Sequence, residues 1–315
     1  MRILFMGTPD FAVASLEALV TNGYQVVGVV TQPDRPKGRG RQLMPPPVKE
    51  IAQKYELPVF QPEKVRQEEA LAQLEELQPD LLVTAAYGQL LPQRLLDMPK
   101  FGSINVHASL LPKHRGGAPI HRAIINGDKQ SGVTIMRMVQ ALDAGAMLSQ
   151  VAIPIDERDT VGSLHDKLAC AGAKLLLETI PKIADGSITE TEQDESLVTY
   201  SPNISRDDER IDWTKSARAI YNQVRGLNPW PVSFTTSNGK IVKIWWVDLV
   251  DETTVSGKQP GTVLRTSKDS IEVQTGKGIV AIRELQPEGK RKMKAEELLR
   301  GQTIEAGYQF GDANE

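Results

Sequence analysis

The sequence predicts an α/β protein: a doubly wound, mostly parallel sheet in the first half, followed by a smaller OB-like β-barrel domain. Three observations predict this. Short apolar runs alternate with helical patterns as far as Asp185, a polar stretch rich in Ser, Thr, Asp and Glu follows, and the remainder carries short strand-like runs between Gly, Ser, Asn and Pro turns.

Taken in order, "RILFM" opens the chain as a strand, and "FAVASLEALVTNG" spaces its apolar residues as a helix does before a glycine stop. "QVVGVVT", "LPVF", "DLLVTAA" and "GSINVH" are apolar runs of strand length, with the helical patterns "VKEIAQKYE" and "EEALAQLEELQ" among them. That rhythm is one of βαβ units, hence a Rossmann-like domain with helices on both faces of its sheet. "GVTIMRM" and "LSQVAIPI" add two strands, and a long helix runs from about Thr160 to Asp185. The polar stretch "GSITETEQDESLVTYSPNISRDDERIDW" reads as a linker. The expected division is an α/β domain at 1–188, a linker at 189–206 and a C-terminal domain at 207–315. In the last, "IDWTKSARAIYNQVRGLNPWP" supplies one short helix, and "KIVKIWWVDLV", "GTVLRT", "SIEVQTG" and "GIVAIRELQ" supply the strands of a small barrel.

With 315 residues, 40% hydrophobic and 24% charged, the chain is long enough for two domains with real cores. A net charge of -3 excludes a generally basic nucleic-acid coat but leaves room for local basic patches. One cysteine, Cys170, cannot form a disulfide framework and is expected to pack in a helix. "MRILFMG" runs straight into a strand without an apolar leader, and no apolar stretch reaches the length of a membrane span, so a cytoplasmic location is expected.

Ligands of doubly wound sheets sit beyond the carboxyl ends of the strands. The loop there, "MGTPDFA", offers Gly7 without a second or third glycine, and no Walker pattern occurs, which argues against a dinucleotide or ATP site. The stretch "INVHASLLPKHRG" is more informative: Asn105 and His107, two apart at the end of a strand, share a face. His107, His114 and His121 are spaced by seven, but Pro112, Gly116, Gly117 and Pro119 interrupt any common helix, and no H-E-x-x-H or cysteine pair completes a metal site. His114, between Lys113 and Arg115, is expected to be a solvated loop residue, His121 a helix-surface residue and His165 structural.

Alone, His107 fits a structural role as well as a functional one. Asp143, in the tight "LDAG" turn after "GVTIMRM", tips the reading, because a carboxylate near an imidazole fixes its tautomer and favours its protonated form. Together the three can polarise a carbonyl, stabilise an oxyanion and move a proton. With no activated serine or cysteine beside them, the pattern suits direct acyl transfer to an amine. Two basic runs remain: "DRPKGRGRQLMPPP", with Arg35, Lys37, Arg39 and Arg41, and "EGKRKMKAEELL", with Lys290, Arg291, Lys292 and Lys294. Each is either a solvated face or a grip on phosphates. Trp245 and Trp246 normally face opposite sides of a strand, and core packing rather than base stacking is expected of them; Trp230 is expected as an interdomain packing residue.

"INVHASLLPKHRGGAPIHRAI", "GVTIMRM" and "LDAGAML" resemble the core of the folate-dependent formyltransferases. The resemblance implies the formyltransferase fold and transfer of a formyl group from 10-formyltetrahydrofolate to an amine. It matches Asn105, His107 and Asp143 to the family's catalytic residues, and Ser109, Leu110, Leu111 and Pro112 to its folate site. "FMGTPDFA", "TQPDRPKGRGRQLMPPPVK", "TAAYGQLLP" and "LNPWP" are similar to the branch that formylates initiator methionyl-tRNA, and the likeness covers nearly all the chain. It implies tRNA contacts from Arg35, Lys37, Arg39 and Arg41, and from Lys290, Arg291, Lys292 and Lys294, with Arg39 matching an arginine important there. No metal, DNA or membrane is expected, and the chain is expected to be a monomer. Sugar-nucleotide formyltransferases share the core and are the enzymatic alternative; a catalytically dead RNA-binding scaffold is the other.

Overall fold

The computed structural model describes residues 1–37, 42–301 and 304–311. By its contacts the chain divides into two units, one made of residues 1–119, 130–154 and 165–201, the other of 120–129, 155–164 and 202–315.

The first unit runs β1 (Arg2–Gly7), α1 (Asp10–Thr21), β2 (Gln25–Val30), the two-stranded β3 (Arg35–Lys37) and β4 (Gln42–Met44), α2 (Pro47–Lys54), β5 (Val59–Phe60), α3 (Glu68–Glu75), β6 (Leu81–Ala85), α4 (Gln93–Asp97) and β7 (Ser103–His107). It continues, after α5 (Pro119–Asn126), with β8 (Gln130–Arg137), β9 (Met147–Pro154) and α6 (Val161–Asp185). Its 7-stranded sheet has the order β5-β2-β1-β6-β7-β8-β9. The pairs from β5 to β7 are parallel and the last two are antiparallel. Ile3, Leu4, Phe5 and Met6 of β1 are wholly buried, as a central strand covered on both faces requires. Strand order reverses between β1 and β6, so the ligand crevice of such a sheet belongs at their carboxyl ends. Gly7 has a packing reason of its own. A Cβ there would lie 2.6 Å from that of Ala12, so the lone glycine lets α1 start hard against the strand end.

Gly172 on α6 does the same against the other half of the sheet, where a Cβ would come within 3.0 Å of Val106. Cys170, on the same helix, is exposed, which corrects the packing role expected of it: alanine, leucine and glycine neighbours take the buried face. The stretch expected as a linker is tied down over most of its length. Thr191 bridges Met147, a 3-10 turn covers Glu195–Leu197, and Tyr200 bridges Arg115, all within the first unit.

In the second unit, α7 (Arg206–Glu209) and α8 (Ala217–Gly226) precede β10 (Ser233–Ser237), β11 (Lys240–Asp251), β12 (Val263–Thr266), β13 (Ile271–Gln274), β14 (Ile279–Pro287), β15 (Met293–Lys294) and α9 (Ala295–Gly301). The strands pair antiparallel in the order β10-β11-β14-β13-β12, with β15 on β14. The amphipathic α8 buries Ala217, Ile220, Tyr221 and Val224 against Ile244, Val247 and Ile282 of the sheet. The two tryptophans of β11 part company. Trp246 packs on this core, edge to face with Tyr221, whereas Trp245 stands outside it with its indole N–H donated to Gln286. From Ile211 onward two helices, α8 and α9, rather than the one expected, accompany this sheet among the described residues. No helix among the described residues is long and apolar enough to cross a membrane.

Candidate active site

β7 is the strand that builds the site. Its residues alternate between the two faces, and Asn105 and His107 fall on the same one. In register, Asn105 sits beside Thr84 of β6 and Met136 of β8. The Thr84 hydroxyl donates to Asn105 Oδ1 at 2.8 Å. With the amide oxygen so occupied, the Asn105 N–H groups are the end left to meet an incoming oxygen.

His107 is buried, 6% exposed, and its Nε2 lies 3.1 Å from the carbonyl oxygen of His114. A carbonyl only accepts, so Nε2 carries the proton and Nδ1 is the ring atom left for chemistry. Nδ1 faces Asp143 Oδ2 at 3.7 Å. That oxygen also accepts the Gly116 N–H at 2.8 Å, which fixes the carboxylate. The turn that carries Asp143 is specified locally. Asp143 adopts a positive φ of 48°, which Asp tolerates better than most residues, and a Cβ at Gly145 would lie 2.0 Å from the Arg137 carbonyl. The structure therefore brings Asp143, distant in sequence, to the strand that carries Asn105 and His107.

His114 corrects its expected role: it is 8% exposed, and its Nδ1 lies 2.7 Å from Ser201 Oγ. The charged neighbours Lys113 and Arg115 suggested solvent, but Arg115 is itself buried and paired with Glu195. In the "SLLP" segment, Ser109 is buried and donates its hydroxyl to the Lys113 carbonyl, and Leu111 is 3% exposed. Leu110 and Pro112 are partly exposed, so the apolar wall of this segment is theirs rather than that of two leucines. Gly132 of β8 makes room for it, since a Cβ there would lie 2.4 Å from Leu110 Cδ2. Three further apolar side chains stand exposed in loops of this unit, Leu90 at 85%, Val139 at 43% and Leu142 at 55%. Large apolar residues within polar, turn-rich loops were the available signal for them.

Of the first basic run, Arg35 forms an exposed ion pair with Glu63, and Lys37 ends β3. Arg39 and Arg41 lie outside the described residues. The base of this hairpin is anchored: Asp34 accepts from Gln61 and Lys49, and these hydrogen bonds hold its carboxyl below the usual carboxylate range. Leu43 and Met44 are exposed on β4. In the second run, Arg291 pairs with Glu297 and Lys292 with Glu284, while the Lys292 ammonium lies 4.8 Å from the centre of the Trp245 ring. Lys290 and Lys294 are exposed and make no ion pair among the described residues. No group of three or more His, Cys, Asp or Glu among the described residues could hold a metal ion.

An α/β strand end that presents an amide and an imidazole beside a carboxylate, with the hydroxyl of the nearby buried Ser109 committed to a backbone carbonyl, is equipped as a transferase acting on a carbonyl directly. Comparison with known proteins makes the class specific. Residues 1–180 match the formyl transferase family and residues 203–303 the formyl transferase C-terminal domain, and the chain belongs to that family. It is 56% identical over 315 residues to the methionyl-tRNA formyltransferase of Bacillus velezensis, covering 100% of this chain and 99% of that one. The methionyl-tRNA formyltransferase of Bacillus subtilis is 55% identical over the same coverage. Among solved structures, the N-formyltransferase of Helicobacter canadensis, in complex with folinic acid and dTDP-3-aminofucose, has a TM-score of 0.65 at 19% identity, over 93% of this chain and 100% of that one.

Proposed function

We propose that this chain transfers the formyl group of 10-formyltetrahydrofolate to the α-amine of initiator methionyl-tRNA, in the cytoplasm and as a monomer, giving N-formylmethionyl-tRNA for translation initiation. The observation that carries this reading is the end-to-end likeness to bacterial methionyl-tRNA formyltransferases. The sugar N-formyltransferase structures, at about 20% identity, support the fold alone.

In this reading the amine nitrogen bonds to the formyl carbon, the bond from that carbon to the folate nitrogen breaks, and one proton passes from the amine to the departing nitrogen. Asn105, its amide oxygen held by Thr84, donates an N–H to the oxyanion. His107 has Nε2 occupied by the His114 carbonyl, so its part is played at Nδ1, which in the charged ring is a second donor to the oxyanion. Asp143 orients that ring and takes part in moving the amine proton. An ordinary α-amine has a pKa of about 8, so part of it is free base near neutrality and a strong base is unnecessary. Ser109, Leu110, Leu111 and Pro112 form the folate segment, with Leu110 and Pro112 as its apolar surface. Arg35, Lys37, Arg39, Arg41 and the Lys290–Lys294 cluster are the tRNA contacts.

The test is direct: incubation with 10-formyltetrahydrofolate and either methionyl-tRNA or an aminosugar nucleotide, following formylated product. Formylated methionyl-tRNA is expected. Turnover with the aminosugar nucleotide alone would overturn the proposal.

A further inference from the structure

His107 ends β7 and Asp143 lies in the turn between β8 and β9, and the geometry of the pair depends on what ties that turn to the loop following β7. Within the first unit, residues 191–201 touch both. Gln193, 8% exposed, donates from Nε2 to the carbonyls of Asp143 and Gly145, each at 2.8 Å, and its Oε1 accepts from Arg115 Nε at 3.0 Å. One amide thus joins the Asp143 turn to the loop that carries His114.

Further along, the chain runs beside that loop. Arg115 N–H donates to the Thr199 carbonyl at 2.8 Å, Ser201 N–H to the Arg115 carbonyl at 2.7 Å and Ala118 N–H to the Ser201 carbonyl at 3.0 Å. His114 is held by its backbone N–H on Thr199 Oγ1 at 2.9 Å and by its ring on Ser201 Oγ. It is fixed in a left-handed conformation at φ 63°, and its carbonyl is the acceptor for His107 Nε2. A Cβ on Gly116 would come within 2.8 Å of the Ser201 carbonyl oxygen, so the approach of the two segments requires glycine there, and Gly116 supplies the N–H that holds Asp143.

We propose that the strap at 191–201 positions the catalytic pair, with Gln193 setting the Asp143 turn and Ser201, through His114, setting the tautomer of His107. Both are positioning residues, since neither side chain contacts His107 or the Asp143 carboxylate. The kinetic part of this inference rests on the formyl transfer proposed above; the tautomer part does not.

The test uses full-length Gln193→Ala, Ser201→Ala and Ser201→Thr. In nitrogen-15 spectra of labelled protein, neutral His107 carries its proton on Nε2 in the parent, mixes tautomers in Ser201→Ala, and returns to Nε2–H in Ser201→Thr, which keeps the hydroxyl. In the formyl transfer assay, kcat falls about tenfold in Gln193→Ala and Ser201→Ala, the worth of one misplaced hydrogen bond, while KM for folate and tRNA stays within about twofold. Its pH profile shifts in Ser201→Ala and is restored in Ser201→Thr. A folded Ser201→Ala with the parent tautomer and pH profile would overturn the role of Ser201. A Gln193→Ala that loses thermal stability but keeps kcat would show the strap to be structural only. Should the parent lack formyl transfer, the tautomer measurement still decides whether the strap sets the ring.

Discussion

Asp143 shows how much one side chain is asked to do. It holds a left-handed backbone conformation, accepts the Gly116 N–H and faces the His107 ring. Asparagine tolerates the same backbone and keeps an acceptor oxygen, so Asp143→Asn isolates the charge, whereas Asp143→Ala removes all three features. Asp143→Asn is expected to melt near the parent temperature with kcat lowered about 100-fold, the usual size of a lost acid–base group. Asp143→Ala should lose as much activity and also about 1–3 kcal/mol of stability from the stranded Gly116 donor and the disfavoured backbone. Turnover of Asp143→Asn at the parent rate would remove the carboxylate's charge from the mechanism. At this scale the sequence was most readable where residues share a strand: Asn105 and His107 lie two apart, and alternation predicts a common face. It was least readable where the partner comes from far away. The burial of His114 depends on Ser201, 87 residues on, and nothing in "PKHRGG" announces that a charged-looking loop will be covered.

Elements were legible from periodicity, but their allegiance was not. The alternation of apolar runs placed all seven strands of the first sheet, yet it could not say that residues 120–129 and 155–164 would join the second unit. For residues 120–129 one tie is a set of specific polar contacts. Arg122 of α5 pairs with Asp208 of α7 through both guanidinium nitrogens at 2.8 Å, and Ser205 caps α7 reciprocally with the same carboxylate. The Arg122 guanidinium, helped by Ser205, holds the Asp208 carboxyl well below the usual carboxylate range. A carboxyl whose folded-state pKa is depressed binds fewer protons folded than unfolded. Its contribution to stability is therefore complete above the unfolded value near 3.8 and is lost as pH falls through the lower folded value. Asp208→Asn should be less stable than the parent at pH 7, with the gap narrowing steadily below about pH 4. Urea unfolding at a series of pH values measures it, and a gap independent of pH would mean that the carboxylate's charge contributes nothing there.

For the whole molecule, a net charge of -3 sets the problem of how an acidic protein grips a polyanion. Composition answers only that the grip must be local, and the two basic runs were legible as candidates because they are contiguous in sequence. What sequence could not divide was the cations within a run. In the second, Arg291 and Lys292 already face Glu297 and Glu284, and Lys292 also lies on the ring of Trp245, while Lys290 and Lys294 are exposed without an ion pair among the described residues. A cation with a carboxylate partner must give up or share that contact to bind phosphate, whereas an unpaired one releases counterions at once, with log affinity falling by roughly 0.7–0.9 per decade of salt for each phosphate neutralised. The double variant Lys290→Ala, Lys294→Ala should therefore weaken methionyl-tRNA binding more than Arg291→Ala, Lys292→Ala, and should reduce the salt slope by about 1–2, with KM for folate unchanged. Binding titrations at several salt concentrations distinguish the two variants. Equal slopes for parent and Lys290→Ala, Lys294→Ala would mean that these lysines never meet the phosphates, and the cluster would then be a solvated face of an acidic protein.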